Sequence, residues 1–223
     1  MKTTRMPGFF YLGMILFGSF AEMTRSKLFA LPDIGASLLP LRLSLMSDLA
    51  MCVFHLLAAW ALFNILKYYS KPLSLLFLIF AMTSVAILSG NLINHIAIIE
   101  MHSADYFGTA NIQPIARFLA QLHGYGYIIA QVYFALWLMP LGMVLLKSKL
   151  MPACFGIMLI AATFGALTEV ITKFLIPGYG YLSYPGLILG MIGEFSFCFW
   201  LLFRGIRIAG GKNDAPETGG CRA

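Results

Sequence analysis

Six apolar runs, separated by short stretches rich in polar residues, glycine and proline, account for nearly all of the chain. They fall at roughly 7–23, 43–66, 73–99, 116–146, 151–173 and 185–206, each near or above the length that crosses a hydrocarbon core about 30 Å thick. A backbone in that medium must satisfy its own hydrogen bonds, so each run is expected as an α-helix. The pattern predicts an all-α integral membrane bundle of six transmembrane helices, one domain over residues 1–207, with 208–223 as a Gly-rich, polar, disordered tail. The first run, with Lys2 and Arg5 before it and Ser19-Phe20-Ala21 near its end, also has the form of a signal peptide. Its continuation to Met23, with Glu22 at the membrane edge, favours a retained helix.

Composition agrees with the pattern. Of 223 residues, 60% are hydrophobic and 11% charged, well below the charged fraction of about 25% in soluble domains. The net charge of +6 does not indicate nucleic acid, because the Lys and Arg residues lie between apolar runs and at the chain ends. The partner implied is the lipid bilayer. Of the fifteen basic residues, ten fall on the side of the two termini; Arg25, Lys27, Arg42, Arg117 and Lys173 make five on the other. The positive-inside rule then places both termini in the cytoplasm, in a cytoplasmic (inner) membrane. The loops on the outer side are also the longer ones, which marks that side as the one to search for function. Cys52, Cys154, Cys198 and Cys221 show no C-x-x-C spacing and read as inert thiols.

Polar residues within the spans are one-sided. Counted from the outer ends at 1.5 Å per residue, Asp48, Asn91, His95, His123, Glu169 and Glu194 lie about 6–13 Å deep, and His55 about 18 Å. The inner halves are almost purely apolar. Asp48 and His55, seven residues apart, share one face of the second span, two turns from each other. Ser84, Asn91 and His95 form a stripe on the third, and His123, Tyr127 and Gln131 follow one another by single turns on the fourth. Glu194 shares a face with Gly186 and Gly190. Each carboxylate needs a partner or its proton, since an uncompensated charge in lipid costs at least a few kcal/mol. Arg42 stands near the right level for Glu194 or Glu169, and His123 or His55 for Asp48. The candidate pocket residues are therefore Arg42, Asp48, His55, Asn91, His95, His123, Tyr127, Glu169 and Glu194. Asn91 also suits interhelical hydrogen bonding, and His55 alone on an apolar face suits packing.

Three stretches carry a family resemblance: "LRLSLMSDLAMCVFHLLAAWALFNILK", "LHGYGYIIAQVYFALWLMPLGMVLLKSKLMPACFGIMLI" and "GEFSFCFWLLFRG". The chain resembles the bacterial domain-of-unknown-function family 4386 over roughly residues 8 to 207, with Arg42, Asp48, His123 and Glu194 matching family positions. The resemblance implies a helical membrane bundle and no particular activity. Ala81-Met82 stands where the family often has an arginine, and Glu169 where it tends to have aspartate.

Four functions are compatible with these residues. Carboxylates facing histidines suit a pocket that binds or passes a small solute, a lipid headgroup or a proton. His95, His123 and Asp48 are candidate metal ligands, with Glu194 as base, for a membrane-embedded metal-dependent hydrolase, although no H-E-x-x-H motif is present. His95 and His123 at similar depth are also candidate haem ligands. A polar layer that only fixes helix register gives a structural or assembly protein. Neither a cofactor nor a substrate is specified by the sequence.

Overall fold

The chain folds as the apolar runs require, with backbone hydrogen bonds closed inside long helices. A computed structural model describes residues 2–34, 37–103 and 112–208. Its elements are β1 (Lys2–Thr4), α1 (Met6–Phe29), α2 (Leu38–Leu66), α3 (Lys71–Ser103), α4 (Ile112–Ser148), α5 (Ala153–Leu175), a 3₁₀ segment (Pro177–Ser183), α6 (Tyr184–Phe203) and β2 (Ile206–Ile208). Among the described residues six helices are long and apolar enough to cross a membrane, which makes the chain a multi-pass membrane protein. The expected tail lies outside the described residues apart from Ile208.

Two features depart from the expectation. The first helix runs six residues beyond Met23, to Phe29, so Thr24-Arg25-Ser26-Lys27 is helical rather than loop. The two ends of the described chain also pair as short antiparallel strands, Lys2 opposite Ile208 and Thr4 opposite Ile206. Gly205, at φ 65°, makes the reversal from α6 into β2, a conformation that favours glycine. This pairing defines a terminal end of the bundle and an opposite, distal end.

The helices alternate in direction. Each packs on its successor, and α6 returns to α1, so they form a ring. Close approach is set by glycines. A Cβ on Gly165 of α5 would lie 2.5 Å from the Gly186 Cα of α6, and one on Gly142 of α4 would lie 2.6 Å from the Gly156 carbonyl of α5. The larger apolar core fills the terminal half, with Tyr11, Leu62, Leu66, Phe77, Trp137 and Phe197 fully buried. A smaller core of Leu28, Ile34, Leu41, Ile98, Ile99 and Ala116 closes the distal end. The polar residues lie between the two. Large apolar side chains such as Phe9, Leu39, Ile93 and Phe203 face outward, as lipid contact requires.

Overpacking at a buried contact costs about 1–3 kcal/mol. Gly165→Ala is expected to lower stability by about that much in mild-detergent unfolding. Gly90→Ala, whose Cβ meets nothing within 4 Å, should leave it unchanged or slightly raised.

Candidate functional site

The polar layer is organised around a residue expected in a loop. Arg25, on the added turns of α1, is 4% exposed, and its Nη1 donates to Asp48 Oδ2 on α2, which is 2% exposed. Its Nη2 donates to Glu22 Oε2, one turn back on α1. The guanidinium also lies over the Tyr127 ring of α4, 5.5 Å from the centroid. One arginine thus ties together α1, α2 and α4. The expected histidine partners of Asp48 are replaced by a cation. The available signal was the i, i+3 spacing of Glu22 and Arg25, which is meaningful only if the helix continues past Met23.

Arg42 is not part of this layer. It is exposed, and its Nη2 donates to Ser103 Oγ at 3.1 Å near the distal end of α3. Asn91 joins α3 to α4, donating from Nδ2 to the His123 carbonyl at 2.7 Å, and a Cβ on Gly126 would strike its amide. The His95 and His123 rings meet edge to face at 5.8 Å, and Phe29 lies against both. Among the described residues His123 Nε2 is buried without a hydrogen-bond partner.

His95, His123 and Asp48 do not form the expected metal site: among the described residues no three His, Cys, Asp or Glu side chains come together to hold a metal. Asp48 is engaged by Arg25, whose positive charge near the two histidines opposes a second cation there. A cavity of about 250 Å³ is lined by His123 and not by His95.

On the other side of the Arg25 cluster, all six helices enclose a cavity of about 470 Å³. That is within the range of about 300–1,000 Å³ typical of small-molecule sites. Its polar lining comprises Ser19, Glu22, His55, Ser84, Tyr127, Gln131, Glu169 and Glu194. Gln131 Nε2 donates to Glu169 Oε2 at 2.5 Å, and Tyr11 Oη donates to Glu194 Oε2 at 3.0 Å. Among the described residues neither of these carboxyl groups has a cationic partner. His55, 1% exposed, packs edge-on against Phe134 and Trp137, and among the described residues its Nε2 has no hydrogen-bond partner. Asp48 and His55 share a helix face, yet one is locked in an ion pair and the other lines the cavity. Glu22, Tyr127, Gln131 and Glu169 also line the smaller cavity, which reaches Arg25 and His123, so the two spaces adjoin. Tyr11 and Gln131 are the donors that the candidate residues omitted.

The fold defines a helical multi-pass membrane protein, with a cavity between its helices. The sequence model of a family described as a domain of unknown function, DUF4386, matches residues 6–205, and the chain belongs to that family. No curated protein and no solved structure matches the chain.

Removing one partner of a buried ion pair costs about 3–5 kcal/mol, whereas replacing both by apolar residues is often neutral. Arg25→Ala should therefore lower unfolding stability in detergent by about 3–5 kcal/mol. Arg25→Met combined with Asp48→Leu should recover most of that loss. Glu22→Gln, at a side chain 53% exposed, should change stability by less than about 1 kcal/mol.

Proposed function

We propose that the protein binds a small organic cation, an amine or quaternary ammonium on an apolar body, in the central cavity. The observation that carries this reading is that, among the described residues, Glu169 and Glu194 pair with neutral donors only, beside a space large enough for a solute. An ionised carboxyl at this depth is costly without a counter-charge, and a bound cation supplies one. The rest of the lining fits the same ligand. Phe134 and Phe195 add aromatic rings to the lining, which attract cations by about 0.5–2 kcal/mol each, and the apolar remainder suits the body of the solute. His55 Nε2 is a spare polar contact at the cavity wall.

Among the described residues the ligands expected for a metal-dependent hydrolase do not converge. The Arg25–Asp48 and Asn91–His123 contacts belong to the architecture, which leaves the cavity carboxyl groups as the working ones. In our reading the distal end faces outward and the termini lie in the cytoplasm of a bacterium. Removing Arg25 from the loop charges leaves Lys27, Arg42, Arg117 and Lys173 at the distal end, which deepens the charge asymmetry behind that orientation.

Binding is read from the melting temperature of purified protein in detergent, titrated with benzyltrimethylammonium and, separately, with uncharged neopentylbenzene. The ammonium should stabilise the wild type and the hydrocarbon should not. Glu169→Gln and Glu194→Gln should each weaken ammonium binding about tenfold or more, as the loss of a charge-assisted contact of about 1.5–3 kcal/mol requires. Equal binding of the two probes, or glutamine variants that bind like wild type, would overturn the assignment.

A further inference from the structure

We propose that the cavity fills from within the bilayer, through a gap between α1 and α6 in their distal halves, so that its natural ligand is a membrane-partitioning cation. The inference rests on the cation-binding reading and adds the route and the lipophilicity of the ligand. Between α1 and α6, among the described residues, the hydrogen bonds and ring contacts all involve Gly8 and Tyr11. Cys198 Sγ approaches the Gly8 carbonyl at 3.9 Å, Tyr11 donates to Glu194, and Tyr11 meets Phe197 at 5.4 Å between ring centroids. The backbones are pressed together there, since a Cβ on Gly8 would lie 2.7 Å from the Leu201 carbonyl carbon. The seam is tight at its terminal end.

Farther along, the cavity wall opens at this same seam. Four lining residues are exposed, Ser19 and Glu22 on α1 with Met191 and Phe195 on α6. The lining residues from α2 and α3, Met51, His55, Ser84 and Leu88, are all buried. At 1.5 Å per residue, the four exposed positions lie about 10–17 Å along their helices from the distal ends. In a hydrocarbon core about 30 Å thick, such a mouth meets acyl chains rather than water. Its neighbours Phe20 and Ile192 are exposed apolar residues, as a lipid-facing rim requires. Ser19 and Glu22 are the polar groups in the opening, and Glu22, whose Oε2 accepts from Arg25, is the one that carries a charge.

The test uses the protein in phosphatidylcholine nanodiscs, with association followed by intrinsic tryptophan fluorescence. Two probes share a headgroup: octyltrimethylammonium, which partitions into lipid, and tetramethylammonium, which stays in water. The wild type should bind the octyl probe at least tenfold more tightly. Ser19→Phe, which fills the mouth, should slow its association tenfold or more, and Met191→Ala, which widens the mouth, should speed it. Variants count only if their melting temperatures stay near that of wild type, and Met191→Ala provides a readout if Ser19→Phe does not fold. Octyl-probe association unchanged in either folded variant, or tetramethylammonium binding as tightly and as fast, overturns lateral entry while leaving the cation site standing. No binding of either ammonium by wild type overturns the cation site itself.

Discussion

The buried contact between Arg25 and Asp48 is the constraint around which the distal half is arranged. Neither group is tolerable alone at that depth, so α1 and α2 are fixed in height and rotation wherever the pair forms. With Arg25 held there, its second arm reaches Glu22 and its flat face covers Tyr127, and α4 is drawn in from the opposite side of the ring. The position of the cavity follows from this bridge. Below it the helices are filled by Tyr11, Trp137 and Phe197; beside it space remains among all six helices.

Two kinds of polar contact share this layer. Asn91 with His123, and Arg25 with Asp48, are satisfied by partners on neighbouring helices and hold those helices in register. Among the described residues Glu169 and Glu194 each accept from one neutral donor, and both border the cavity. Such a division separates architecture from chemistry better than depth does, since all of these groups lie in the middle and distal parts of the bundle.

The helices were legible from hydropathy because lipid imposes a single backbone solution on a long apolar run. The layer was legible too, as polar residues interrupting those runs on one side. Its pairings were not. Thr24-Arg25-Ser26-Lys27 has a loop's composition, and only the presence of Asp48 across the interface makes a buried arginine affordable in a helix. Arg42 carries the same charge at a similar level, but it sits on an exposed face of α2 and reaches Ser103 instead. Spacing along one helix gives the relative angle of two side chains. It does not give the rotation of that helix against its neighbours, which packing at Gly126, Gly142 and Gly165 decides.

The ring order has a consequence in time. Tyr11 meets Glu194, a residue 183 positions later in the chain. At synthesis rates of about 5–20 residues per second, the first helix waits roughly 10–35 seconds for that partner. Its companion Asp48 emerges within a few seconds, only 23 positions after Arg25. During biogenesis the early ion pair anchors α1 while one of its flanks is still open to lipid, and the last helix closes the circle on a seam that has had no rehearsal.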